Sequence, residues 1–403
     1  MRFIKKNLII FGLVLGVFLN GFLWAQPVKD KDALNRGVWV SVFSPKSALY
    51  SKEGVLSLIK TCKKASINQI YLQLYQSGNA YYDSKIDSTL ASSRVSPECN
   101  RRTKRGILSS TDIISFLLEE AQKNKIKVFA WLNILSLGKN DKADILLKFG
   151  NSILTRDQYL RTGANEKNEL DKYYLVENQF FLEPGDPRVE KYIASIIDEI
   201  LQKYPRLSGI HLDYVRYPAI VPFVWGSRFN KYGLTYGYGG DNLRRFKEKT
   251  GLDPMNSRLE NDDYLVWDNW KREQISGLVR RLSMRIKKKS SELLVSCAVI
   301  PGVERAYLSY FQDWPSWLSN GIVDYVVLMN YTRDDALAQQ ITKAALAFRA
   351  NAKIFIGLGV FLMKDEPERF LRQYKLTADF NPDGIVFFSY DDLSDEMIEN
   401  IKK

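Results

Sequence analysis

Residues 208–218 read SGIHLDYVRYP, and this stretch decides the fold. Residues 209–215 form a short apolar run with polar residues at alternate positions. That is strand periodicity: His211 and Asp213 share one face, Ile210 and Leu212 the other. Arg216, Tyr217 and Pro218 follow, and proline cannot donate to a ladder, so the strand stops there. A strand that gathers polar side chains at its C-terminal end, just before a stop, predicts a site at that end. His211 is also the single histidine in 403 residues.

Similar runs recur on either side: GVWVSVF (37–43), QIYLQLY (69–75), KVFAWLNIL (127–135), LLVSCAVI (293–300), VDYVVLMNY (323–331), KIFIGLGV (353–360) and GIVFFSY (384–390). Between them lie amphipathic stretches such as EGVLSLIKTCKKA (53–65), STDIISFLLEEAQKN (110–124) and DPRVEKYIASIIDEILQKY (186–204). The last opens on Asp186-Pro187, a helix start, with apolar residues at helical spacing. Eight short β-rich runs alternating with helices predict parallel βα units and a closed (β/α)8 TIM barrel. A doubly wound open sheet is the alternative, but no glycine-rich phosphate turn follows the first strand.

Two connections are long. After strand 3 the chain wanders from Ser136 to about Asp186, and after strand 4 it reads PAIVPFVWGSRFNKYGLTYGYGG (218–240). In a barrel both leave the C-terminal face, where catalytic residues gather. The second carries Phe223, Trp225, Phe229, Tyr232, Tyr236 and Tyr238, rings suited either to stacking on sugars or to packing among themselves.

The first residues, MRFIKKNLIIFGLVLGVFLNGFLWAQP, have a basic start, an apolar stretch and a small residue at Ala25. The pattern predicts a secretory signal peptide over residues 1–25, with an uncleaved anchor as the alternative, and places residues 26–403 outside the cytoplasm as one barrel domain. Loss of Arg2, Lys5 and Lys6 would lower the formal charge of +12 by three, to +9. Such a surplus suits anionic envelope polymers or lipid surfaces. No zinc-ligand spacing, RNA-binding aromatic signature or dense Arg/Lys block points to nucleic acid. Cys62, Cys99 and Cys297 are too few for a disulfide framework. One His and three scattered Cys make no soft-metal site, and no cofactor is implied.

The C-terminal ends of the strands collect Gln73 and Tyr75, Trp131 and Asn133, His211, Asp213, Arg216 and Tyr217, Asn330 and Tyr331, and Tyr390. Carboxylates follow at loop starts: Glu304 in IPGVERAY, and Asp334 and Asp335 in NYTRDD. Aromatic, amide and carboxylate groups without a Ser/His/Asp arrangement suit glycosidic cleavage, which needs one carboxyl to protonate the leaving oxygen and one to act at the anomeric carbon. Asp213 fits the second role, with Arg216 holding it ionised. His211 is assigned to positioning or to a substrate hydroxyl, the alternative being a buried histidine bonded to a neighbouring strand. Glu304 and Asp334 are both candidates for the acid, with Glu183 in FLEPGDP an outsider and Asp335 a solvated loop carboxylate. Trp225 in the long loop joins the candidate sugar contacts.

On RGVWVSVF, QLYQSGNAYYDSKI, KVFAWLNIL, FLEPGDPRVEKYI, SGIHLDYVRYP, WDNWKREQI, AVIPGVERAY and QDWPSWLSNGIVDYVVLMNYT, the chain resembles the glycosyl-hydrolase-like 10 family over roughly residues 35–395. The resemblance implies a (β/α)8 barrel and glycoside hydrolysis in the bacterial envelope, with some members acting on peptidoglycan strands stripped of stem peptides. It carries the strand-4 aspartate onto Asp213 and its companion onto His211. Some members have a second acidic residue where this chain has Tyr214, and Asn or Asp where it has Glu183. The expectation is thus an exported glycoside hydrolase of an envelope polysaccharide. Its competitors are a catalytically weak glycan-binding barrel and a scaffold tethered by an uncleaved signal.

Overall fold

The computed structural model describes residues 34–87, 112–162, 179–219, 235–256, 260–349 and 352–401. Eight strands carry the architecture: β1 (Asn35–Val40), β2 (Gln69–Gln76), β3 (Lys127–Asn133), β4 (Gly209–Asp213), β5 (Leu294–Val299), β6 (Tyr325–Asn330), β7 (Lys353–Gly359) and β8 (Gly384–Phe388). Each pairs in parallel with the next, and β8 pairs with both β7 and β1, through Phe355↔Gly384 and Asn35↔Gly384. The ring is closed, so no strand keeps an open edge. This is the expected (β/α)8 barrel.

The outer layer is helical: α1 (Lys52–Lys64), α2 (Ile113–Lys123), α3 (Asp144–Phe149), α4 (Pro187–Lys203), α5 (Gly240–Thr250), α6 (Asn261–Lys289), α7 (Val303–Ser309), α8 (Trp314–Ser319), α9 (Asp335–Leu346), α10 (Pro367–Ala378) and α11 (Asp395–Asn400). The Asp-Pro start of α4 works as the sequence predicts. Asp186 accepts from Arg188 N at 2.9 Å, and Pro187 fills the first turn, where its missing N–H has no partner to lose. The long connections are there too. The β3 connection folds back through a small antiparallel pair, Ser136–Gly138 with Phe180–Phe181.

Strand alternation splits the core in two. Outward residues of the strands, such as Val38, Ile70, Leu132, Ile210, Val326 and Ile385, pack under the helices. Inward residues fill the lumen: Trp39, Tyr71, Phe129, Trp131, Tyr325, Val327, Phe355 and Val386. Large rings fit because glycines face them. A Cβ on Gly37 would lie 2.7 Å from the Tyr71 ring, and one on Gly357 would lie 3.0 Å from Trp39. The barrel interior is therefore packed solid below its mouth, and only the last inward residue of each strand can reach a substrate.

Candidate active site

Asp213 is the last residue of β4 and faces inward at the mouth, level in register with Asn133 of β3. Its two oxygens each accept an N–H. Trp131 Nε1 donates to Oδ2 at 3.0 Å, and the backbone N–H of Tyr214 donates to Oδ1 at 2.6 Å. Tyr214 itself sits at φ +54°, a left-handed value uncommon for a bulky residue, so the chain turns sharply just after the carboxylate. Asp213 keeps 7% of its surface exposed.

Aromatic rings form the floor around it. Trp131 meets the edge of Phe388 at 6.2 Å, Tyr331 stacks on Phe388 at 5.4 Å, and Phe361 stands edge-on to both Tyr331 and Phe388. The Tyr331 hydroxyl is pushed well above its ordinary value by burial and by the negative charge of Asp213, so it stays protonated. Arg216 lies behind this floor. Its guanidinium sits over Tyr214, Tyr310 and Phe181 at 4.7, 5.1 and 5.6 Å, a cation held among rings. Gln73 closes the β1–β2 side, its Oε1 accepting from Val42 N at 3.1 Å and Ser41 Oγ at 3.2 Å. Asn133 is buried, and its Oδ1 has no hydrogen-bond partner among the described residues.

Five residues expected at the mouth are elsewhere. His211 is one pleat below Asp213 and fully buried. Trp39 Nε1 donates to its Nε2 at 3.2 Å, and its Nδ1 lies 2.8 Å from Ser296 Oγ, so both nitrogens are occupied inside the lumen. Burial lowers its pKa to about 3, which makes it a neutral structural group bonded to neighbouring strands and not a contact for a substrate hydroxyl. Tyr75 faces outward, because the register with β3 slips between Gln73 and Tyr75 and a one-residue slip flips the face. Asn330 also faces outward, donating to Ala338 O and Thr342 Oγ1 of α9 at 3.0 and 3.3 Å. Tyr390 leaves the strand direction in the turn after β8 and packs beside α1, with Lys46 Nζ 4.7 Å above its ring. Tyr217 is buried, its hydroxyl donating to Glu183 Oε1 at 2.6 Å.

Glu183 anchors a second, sealed cluster beside the mouth. Burial raises its pKa to about 7, against the pull of its bonds with Tyr217 and Thr155 and the charge of Arg245. The neighbouring Lys271, also buried, is lowered to about 8 by burial; its Nζ reaches Thr235 Oγ1 and Asp268 Oδ1, both at 3.0 Å. Tyr236 and Tyr238 are buried too, Tyr238 with its ring 5.4 Å from Trp267, so these two loop aromatics pack inward. Trp225, Phe223, Phe229 and Tyr232 lie outside the described residues, as do Cys99 and the predicted signal segment.

The rim carboxylates differ in commitment. Glu304 is exposed in the first turn of α7 and makes no hydrogen bond or ion pair among the described residues. Asp334 is exposed but caps α9, accepting from Leu337 N at 3.0 Å. Asp335 pairs with Arg372 at 2.8 Å. Asp391, after β8, takes the hydroxyl of Ser44, and burial raises its pKa. Among the described residues no group of three or more His, Cys, Asp and Glu could hold a metal ion.

Sequence reading missed Phe361, Phe388 and Asp391. Phe388 had a signal, since it shares the inward phase of Gly384 and Val386. Phe361 lies in a turn, where alternation has lapsed.

A carboxylate at the end of β4 in an aromatic mouth is where comparison with known proteins becomes informative. The Glycosyl hydrolase-like 10 family profile matches residues 35–362. This chain belongs to that family. Among its relatives is glycosyl hydrolase DigH of Escherichia coli (strain K12), 24% identical over 358 residues that span 82% of this chain and 70% of DigH. Glycosyl hydrolase YngK of Bacillus subtilis (strain 168) is 21% identical over 439 residues, 98% of this chain and 76% of YngK. Among solved structures, alpha-L-fucosidase isoenzyme 2 from Paenibacillus thiaminolyticus superposes with a TM-score of 0.58 at 14% identity; 91% of this chain covers 48% of that enzyme. The endo-1,4-beta-mannanase from Rhizomucor miehei does so with a TM-score of 0.50 at 11% identity, over 92% of this chain and 93% of the mannanase. At such identities the structural likenesses show the barrel alone. The family makes the chain a glycoside hydrolase.

Proposed function

We propose that this hydrolase is exported and cleaves a cell-envelope polysaccharide, peptidoglycan glycan strands foremost, with Asp213 acting on the anomeric carbon directly or through a water. The observation that carries this is the seat of Asp213. Two N–H donors hold its oxygens at the aromatic mouth, and hydrogen bonds to a carboxylate favour the ionised form that a nucleophile or base requires. The acid is Glu304. It follows β5, the strand beside β4, and makes no hydrogen bond or ion pair among the described residues. Asp334 is tied to a helix cap worth about 1 kcal/mol, which protonation would weaken. The surplus of basic residues suits an anionic wall, and the pattern of residues 1–25 supports export.

The test is incubation with purified glycan strands, with and without stem peptides, followed by mass analysis of the products. Cleavage of peptide-free strands is the expected result. Glu304→Gln should lose most activity on these strands and recover it on an aryl glycoside whose leaving group needs no proton. Undiminished turnover by Asp213→Asn would overturn the role of Asp213. Binding without any turnover by the unaltered protein would support a glycan-binding barrel instead.

A further inference from the structure

The mouth carries a cluster of three aromatic rings that is not fully covered among the described residues. Phe361 is 41% exposed, and Tyr331 and Phe388 beside it are partly exposed. The three rings come from the ends of three consecutive strands: Tyr331 after β6, Phe361 after β7, Phe388 closing β8. Their geometry is fixed. Tyr331 and Phe388 lie within 25° of parallel, and Phe361 stands at 90° and 86° to them. Gly359 permits this closeness, since a Cβ there would lie 3.1 Å from the Phe361 ring and 3.2 Å from Tyr331. The platform is continuous with the reactive carboxylate. Phe388 touches Trp131, which donates to Asp213, and the Tyr331 hydroxyl feels the charge of Asp213.

We infer that Phe361 is the outer part of a stacking platform that takes the apolar face of a pyranose ring next to the bond being cleaved. This rests on the reading of the chain as a glycoside hydrolase acting at Asp213. Pyranose rings pair a C–H face with a rim of hydroxyls, and a rigid set of partly uncovered aromatic rings covers the first without demanding fixed hydrogen bonds. Phe361 therefore sets affinity for the glycan and leaves the chemistry to Asp213.

Steady-state cleavage of peptide-free glycan strands by Phe361→Ala and Phe361→Leu tests this. Both should raise KM about tenfold with kcat within about twofold, because stacking is lost in each while leucine keeps the apolar bulk. Phe348→Ala, an exposed phenylalanine against Trp314 in the helical layer, should change neither constant. Direct binding separates the platform from the proposed substrate. Asp213→Asn and Asp213→Asn/Phe361→Ala are compared on the same strands and on β-1,4 hexasaccharides of N-acetylglucosamine, glucose and mannose. If the unaltered protein leaves the strands intact, yet one hexasaccharide binds Asp213→Asn about tenfold better than the double variant, the substrate proposal fails and the platform stands. Equal affinities in the two variants, no binding of any probe, or an unchanged KM in Phe361→Leu would each overturn the inference.

Discussion

His211 and Asp213 stand two residues apart on one face of one strand, yet they live in different media. Around His211 every direction is filled: Trp39 and Ser296 take its nitrogens, and the Tyr71 ring centroid is 4.6 Å away. Around Asp213 the partners include two N–H groups, from Trp131 and Tyr214, and the rings beside it end at the mouth. One pleat, roughly 6–7 Å of strand, separates a lumen that refuses charge from a rim that stabilises it. Depth along a barrel strand, more than residue type, decides whether a polar group serves folding or chemistry.

Exchanging the two residues' roles in mutants gives the largest contrast. Asp213→Asn should lower kcat on the order of 10⁴-fold in a protein that still folds. The amide keeps the shape of the carboxylate, but its NH2 must face one of the two N–H donors, so the melting temperature should fall by a few °C at most. His211→Leu should do the opposite. Activity per folded molecule should stay within a few fold, while denaturant unfolding shows a loss of about 3 kcal/mol from stranded Trp39 and Ser296 groups. A variant of His211 that folds normally but is catalytically dead would erase the distinction.

Proton linkage sharpens the comparison at the level of stability. His211 has a folded pKa of about 3, below its unfolded value near 6.5, so the unfolded chain takes the proton first. The stability it contributes is present above pH 6.5 and is lost as pH falls towards 3, on the order of 3 kcal/mol by pH 4. Glu183 runs the other way. Its folded pKa of about 7 exceeds its unfolded value of 4.5, so its contribution is full below pH 4.5 and is lost as pH rises to 7. Glu183→Gln should accordingly unfold at a higher temperature than the parent at pH 8, by the equivalent of about 2–3 kcal/mol, with little difference at pH 5. Equal gains at both pH values would mean that the carboxyl is not buried as an acid.

The smallest effect belongs to the bond between the two layers. Trp131→Phe removes the indole N–H from Asp213 and keeps most of the ring. It should lower kcat about tenfold with little change in KM, the value of one hydrogen bond to a charged group. An unchanged kcat would make Trp131 a floor and nothing more.

The barrel was legible because alternation and spacing are set by strand and helix geometry, and eight repeats leave few ways to close. Asp213 and Trp131 were legible because their strand runs straight to its end. Tyr75 was not, since a bulge between Gln73 and Tyr75 inverts the face at the last step. Asn330 could have been excluded by phase, as Tyr325 and Val327 point inward and even positions point out. Tyr390 and Phe361 sit in turns, where direction follows from local hydrogen bonding and carries no periodic signal. The buried pairing of Tyr217 with Glu183 joins residues 34 positions apart, a contact that spacing cannot express.

The seam between β1 and β8 has a consequence for how the molecule comes into being. Asn35 sits beside Gly384, near opposite ends of the described chain, so β1 and β7 both present bare edges until β8 arrives. Every strand from β1 to β8 must be made before the ring can lock, and a growing polypeptide therefore stays open and pliable while the first seven are synthesised. For a chain proposed to thread through a secretion pore, the last stave acts as a timer that delays closure until passage is under way.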